Sequence, residues 1–129
     1  MMKQVIAAGF TALLLSGCLG DAVYFKGISD GDTVSSPLKI SMGVCGMDVR
    51  KAGEVVEDTG HHHLIIDGDC IAKDETVPKD ATHKHFGKGQ TETTLNLTPG
   101  EHTLSLQFAN GMHSSYGAEM CETIHIKVE

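Results

Sequence analysis

From Asp21 onward, apolar residues recur at every second position rather than every third or fourth, which is the period of a strand with one face buried. Leu38, Ile40, Met42 and Val44 alternate with Lys39, Ser41 and Gly43. Leu104, Leu106 and Phe108 alternate with Thr103, Ser105 and Gln107, and Ile124, Ile126 and Val128 alternate with Thr123, His125 and Lys127. Val23 to Phe25 and His62 to Ile66 read as two shorter strands, and a threonine-rich run, Thr91 to Thr94, continues through Leu95 and Leu97. Beta-branched residues of this kind favour a pleated surface. Asp30-Gly31-Asp32, Asp67-Gly68-Asp69, Pro99-Gly100 and Asn110-Gly111 supply turn chemistry between the runs. The pattern predicts an all-β fold, a single antiparallel sandwich of about seven strands, immunoglobulin-like (Ig-like) or cupredoxin-like, over residues 23–129. Within it, Pro99-Gly100 is expected to join Thr91–Leu97 to His102–Ala109 as a hairpin, with the last strand returning beside the latter.

The N-terminus has a different pattern. Lys3 precedes an apolar run from Val5 to Leu15, the build of a signal peptide. A spanning helix needs about 20 apolar residues, so the run is too short to cross a membrane. It ends in Leu15-Ser16-Gly17-Cys18, which resembles the bacterial lipobox, in which the cysteine thiol is lipidated before cleavage ahead of it. The expected organisation is a lipoprotein signal peptide over 1–17, a lipidated Cys18 with a short tether over 18–22, and the sandwich. Leu19 follows the cysteine where Asp would favour retention, so the expected location is the cell envelope, on the outer membrane facing the periplasm if the cell is Gram-negative.

Charge narrows the partners. The chain has 10 basic and 17 acidic residues, and loss of Lys3 with the leader leaves 9 − 17 = −8. That balance argues against nucleic acid and against a polybasic membrane contact. Of the 4 cysteines, Cys18 is assigned to lipid, leaving Cys45, Cys70 and Cys121 in an oxidising compartment. Cys45 with Cys70 is the preferred disulfide, because both follow strand-like runs near turn glycines.

Candidate chemistry rests on the 8 histidines. His61-His62-His63, His83-Lys84-His85 and His113, the last beside Met112 and near Tyr116 and Met120, form three compact groups. In a strand, residues i and i+2 lie on one face about 6.6 Å apart, so His61 with His63, or His83 with His85, makes a chelating pair. Imidazole suits copper, zinc, iron and nickel, and thioether favours Cu(I). The candidate metal ligands are therefore His61, His63, His83, His85 and His113, with Met112 and Met120 as softer helpers and Asp67 orienting a ligand imidazole from behind. His62 shares the phase of Leu64 and Ile66 and is expected to be a satisfied core group. His102 is expected to cap a strand start and His125 to lie on the solvated face. The expected ion is copper, with zinc as second choice; affinity at nitrogen sites peaks at Cu(II), and binding should weaken as pH falls through about 6.5.

The segments Gly60-His61-His62-His63-Leu64-Ile65-Ile66-Asp67-Gly68, His83-Lys84-His85-Phe86-Gly87-Lys88-Gly89-Gln90-Thr91-Glu92 and Leu106-Gln107-Phe108-Ala109-Asn110-Gly111, with His113 and Ser115-Tyr116-Gly117, resemble a bacterial family known as domain of unknown function 4399. The resemblance covers about Val23 to Val128. It implies an exported small β domain with a histidine-rich face and no assigned activity, and the cysteines lie outside the pattern. The functional expectation is a membrane-anchored envelope lipoprotein that binds a copper-like transition metal and is not an enzyme. The alternative is a non-catalytic interaction module that recognises a protein or envelope component through Lys84, Lys88, Gln90 and Tyr116.

Overall fold

The computed structural model describes residues 18–129. The signal peptide expected over 1–17, and with it the part of the lipobox-like sequence before Cys18, lies outside them. The described residues contain nine strands: β1 (Ala22–Lys26), β2 (Thr33–Val34), β3 (Leu38–Cys45), β4 (Asp48–Val49), β5 (Thr59–Ile66), β6 (His83–His85), β7 (Glu92–Leu95), β8 (Gly100–Ala109) and β9 (Cys121–Val128). A 3-10 turn, Ala118–Met120, precedes β9. Among the described residues no helix is long and apolar enough to cross a membrane. The count exceeds the expected seven because β2 and β4 are two-residue strands, too short to show an alternation, that pair in parallel with β9 and β5.

Two sheets face each other. The larger has the order β2-β9-β8-β5-β4, with β6 also pairing β5, and the smaller has the order β1-β3-β7. Val23, Phe25, Ile40, Met42 and Leu95 of the smaller sheet meet Leu64, Leu104, Leu106, Phe108, Ile124 and Ile126 of the larger. These are the residues in the apolar phase of each strand, so burial of that phase accounts for the sandwich.

The expected hairpin at Pro99-Gly100 does not form. β7 pairs with β3 and β8 pairs with β5 and β9, so the turn carries the chain from one sheet to the other. Alternation shows which face of a strand is buried but is silent on which sheet receives it. His102 braces this crossover: its Nε2 donates to the Thr98 carbonyl at 2.7 Å, and its Nδ1 donates to Asp67 at 2.9 Å. Both ring nitrogens donate, which favours the imidazolium, and the Asp67 carboxylate together with the Thr98 carbonyl raises its pKa above the usual histidine value. The capping role expected of His102 is thus the one it has.

The larger sheet departs from the half-buried pattern. In β8 the polar phase is as inaccessible as the apolar one, with Ser105, Gln107 and Ala109 at 0% exposure. Two long connections, 67–82 and 110–120, lie over that outer face, and side chains of the strand satisfy their backbones. Gln107 accepts a bond from the Ile71 N–H at 2.9 Å and donates to the carbonyls of Gly117 and Met120 at 3.0 and 3.2 Å. Ser105 donates to the Gly68 carbonyl and Ser115 to that of Ile71. A loop can be buried only when its polar groups find partners of this kind.

The cysteines also pair differently from the expectation. Cys70 is joined to Cys121 and not to Cys45, because the connection leaving β5 runs beside the start of β9, where Cys121 stands opposite Gln107. Cys45 is joined to Cys18. A sulfur in a disulfide cannot carry a lipid thioether, so this bond and lipidation of Cys18 are alternative fates of one atom. The Cys70–Cys121 bridge ties the covering layer to the sheet across a sequence separation of 51. Replacing both residues by Ser should lower unfolding stability by about 4 kcal/mol, read from urea midpoints of the oxidised wild type and the double variant; equal midpoints would show that the covering layer holds without it.

Candidate metal centre

Strand β5 carries three consecutive histidines and sends them to two faces. His62 points inward with Leu64, its ring 5.1 Å from that of Phe108. It is buried, as its phase predicts, but it is not satisfied, since neither ring nitrogen has a partner. His61 and His63 point to the outer face, beneath the covering layer, and both are buried. The strand register then supplies a third imidazole, because His63 stands opposite His85 of β6. On its other side His63 faces Gln107 of β8, the residue that holds the cover in place.

The fourth imidazole comes from the turn after β8. Asn110 accepts the N–H groups of Met112 and Ser114 on its side-chain oxygen, at 2.8 and 3.1 Å, and the N–H of His113 on its carbonyl at 2.8 Å. His113 is held there at φ 69°, a left-handed conformation that is uncommon outside glycine and clusters at functional positions. Its own carbonyl accepts the Val77 N–H at 2.9 Å, which ties the turn to the covering connection. The result is that His61, His63, His85 and His113 each offer a ligand atom, all within 4.8 Å of one another.

The six ring-to-ring separations in this group run from 4.6 to 5.8 Å. Nε2 of His61 lies 3.0 Å from Nε2 of His63 and 3.1 Å from Nδ1 of His113. With metal–nitrogen bonds near 2.0–2.1 Å, a tetrahedral ion sets its ligand nitrogens roughly 3.3 Å apart. Neutral imidazole has one N–H and one lone pair, so three nitrogens aimed at one point cannot all pair with one another, whereas one cation satisfies all of them. Four close histidines can therefore hold a metal ion.

Their electrostatics keep them ready for one. Burial, with the nearby His113 and His85, lowers the pKa of His61 to about 4. Burial, with His61, His85, His113 and His62 around it, lowers His63 to about 3. His85 is lowered in the same direction, chiefly by burial and then by His113 and Lys79. These imidazoles are neutral at pH 7, the form that ligates metal.

The remaining candidates are elsewhere. His83 shares the outer face of β6 but stands opposite Ile65, and its Nδ1 bonds Asp80 at 2.8 Å, so it braces the turn that leads into the strand. Met120 packs into the core between the sheets at 2% exposure and cannot reach the site. Met112 adjoins His113 but is 60% exposed. Asp67 orients His102 and none of the four clustered rings. His125 is on the solvated face, paired with Asp30 at 3.0 Å. Of the alternative recognition surface, Lys84, Lys88 and Gln90 are exposed, but Tyr116 is turned inward, donating to the Thr59 carbonyl at 2.6 Å and stacking on Phe108. The sequence reading missed Asn110 and Gln107 as builders of the site. Asn110 read as a turn residue and Gln107 as one polar step of an alternation, and neither pattern signals that the segment is covered.

No curated protein and no solved structure matches the chain. A family model does, over residues 40–129, which include every clustered histidine, both supporting residues and the whole of the larger sheet except β2. The chain belongs to the family described as Domain of unknown function (DUF4399).

Proposed function

We propose that this domain holds one transition-metal ion of d10 configuration, zinc(II) or copper(I), on His61, His63, His85 and His113. The observation that carries the reading is the near-equality of the six ring separations, 4.6 to 5.8 Å. Four imidazoles round a square-planar Cu(II) would show two separations much longer than the other four, whereas a tetrahedron makes all six alike. The nitrogen-only donor set does not itself distinguish zinc from copper. Four protein ligands complete a tetrahedral ion and leave no position for substrate, which favours carrying or storing the ion, or bracing the fold with it, over catalysis.

We place this domain at the cell envelope as a lipoprotein, a reading supported by the apolar leader and the Leu15-Ser16-Gly17-Cys18 sequence. On this reading lipid occupies the Cys18 sulfur, Cys45 is left as a thiol, and the Cys18–Cys45 disulfide belongs to the unlipidated chain. Mass spectrometry of full-length protein from the bacterial membrane fraction should show an acylated N-terminal peptide beginning at Cys18 and a Cys45 thiol that alkylates without prior reduction. An unmodified Cys18 peptide disulfide-linked to Cys45 would remove the lipoprotein reading.

The metal reading is tested by titration calorimetry with zinc(II), and with copper(I) under anaerobic conditions, on a tag-free domain. One ion should bind per chain. His63→Ala should weaken affinity by more than the 10–100-fold typical of losing an outer partner of a ligand, while His83→Ala should change it by less than about threefold. Loss of affinity in His83→Ala comparable to that in His63→Ala would place the site elsewhere.

The pH dependence follows from the lowered pKa values. An unfolded imidazole takes up its proton near 6.5, whereas His61 and His63 in the fold resist protonation down to about 4 and about 3. Between those limits the unfolded chain binds more protons, so these two groups cost the metal-free domain stability as pH falls from 6.5 towards 4, whereas His102, with its raised pKa, contributes stability that is lost as pH rises above 6.5. Proton competition for the metal is displaced downward with it, so affinity should persist at pH 5.5. Urea midpoints that stay constant between pH 6.5 and 4.5 would contradict this.

A further inference from the structure

The segment Arg50–Glu54, between β4 and β5, is bonded to the backbone beside three of the four clustered histidines. The Arg50 N–H donates to the Gly60 carbonyl at 2.8 Å, the Ala52 N–H to the Gly87 carbonyl at 2.7 Å, and the Gly53 N–H to the Gly111 carbonyl at 2.9 Å. Gly60 precedes His61, Gly87 follows His85 by two residues, and Gly111 precedes His113 by two. These acceptors belong to separate parts of the chain: the start of β5, the connection after β6 and the turn after β8.

At Gly111 the strap lies close enough to require glycine, since a β-carbon there would meet the carbonyl group of Glu54; Gly60 and Gly87 are required by other neighbours, Ala109 with Phe108 and the His85 ring respectively. A single stretch of backbone therefore spans the three segments that present His61, His85 and His113. Strand pairing sets the spacing of His63 against His85. The placement of His113 relative to either depends on a turn of its own, and Gly53 is the link between that turn and the strap.

We propose that Arg50–Glu54 is a positioning strap for the metal centre: it holds the His61, His85 and His113 segments at ligation distance, and the ion exchanges when the strap releases them. The inference rests on the metal-binding reading above. The strap is exposed on its outer side, with Arg50, Lys51, Gly53 and Glu54 all open to solvent. It is anchored by the three backbone bonds, and a surface ion pair, Arg50–Glu54 at 3.1 Å, closes the strap on itself. Segments with few buried contacts open locally more readily than a core strand does. Opening the strap removes the Gly53 bond to the His113 turn, which then keeps only its Asn110 and Val77 bonds, while β5, β6 and β8 stay paired, so a ligand can leave without unfolding the sandwich.

The test uses the full domain loaded with zinc(II). Transfer of the ion to a chromogenic chelator should be at least tenfold faster in Gly111→Ala, where the new methyl pushes Glu54 away, with little change in sheet signal by circular dichroism. Arg50→Gln removes the surface ion pair but leaves the three backbone bonds, and should change the transfer rate by less than twofold. Amide hydrogen exchange at Ala52 and Gly53 should slow at least tenfold when zinc is bound, because ligation locks the segments they bond. Zinc that binds tightly without slowing those two amides, or that leaves the Arg50→Gln and Gly111→Ala variants at equal rates, overturns the strap and leaves the metal reading standing. A domain that takes up no zinc and no copper(I) overturns both.

Discussion

The structure depends on β5 and β8 being covered on both faces. One face meets the smaller sheet through apolar side chains, as in any sandwich. The other lies beneath two long connections, and those connections can be buried because Gln107, Ser105 and Ser115 satisfy their backbones. Removing water from the outer face of β5 makes His61 and His63 poor bases, and poor bases stay neutral and available to a metal. The chemistry of the site thus follows from the cover as much as from the histidines.

The cost of that arrangement is visible in the unpartnered nitrogens. Nδ1 of His61, Nδ1 of His63 and Nε2 of His85 are buried without a hydrogen-bond partner, and leaving such groups unpaired costs about 1–3 kcal/mol each. An ion between the facing Nε2 atoms of His61 and His63 would not reach their Nδ1 atoms, so that cost stays with the fold, while a ligand that prefers the folded state adds its own binding free energy to stability. The left-handed backbone at His113 is a further strain of the same kind, held by Asn110 on one side and Val77 on the other. Unpaired buried nitrogens at His61, His63 and His85 and backbone strain at His113 meet in one cluster; outside it His62 is buried with both ring nitrogens unpartnered, whereas His83, His102 and His125 each pair with an aspartate.

Cysteine chemistry meets the fold at its two ends. Cys70–Cys121 fastens the covering connection where it leaves β5, next to the Gln107 network. Cys45 ends β3 opposite Ala22, which brings it close to the residue where a lipoprotein would be anchored. The first bridge serves the covering layer and hence the histidine cluster, while the second joins Cys45 to Cys18 at the start of the described residues. The two sulfur pairs therefore answer to different constraints, although both lie outside the resemblance read from the histidine motifs.

Period-two alternation was enough to determine the longer strands, their inward faces and the sandwich, because a half-buried strand writes its burial directly into the order of polar and apolar residues. The same parity placed His61 and His63 on one face and His62 on the other, and the i, i+2 spacing marked His83 and His85 as a pair. It could not separate the two members of that pair, since both share a face and only the register of β6 on β5 sets His85 against His63 and His83 against Ile65. Nor could it place β7 and β8 in different sheets, join Cys70 to Cys121, or show that the polar phase of β8 is covered. Those features depend on contacts between residues far apart in the chain, and local pattern has no term for them. Sequence alone determined which side chains could ligate a metal; the tertiary structure decided which four meet, because convergence is a property of packed strands and covering loops.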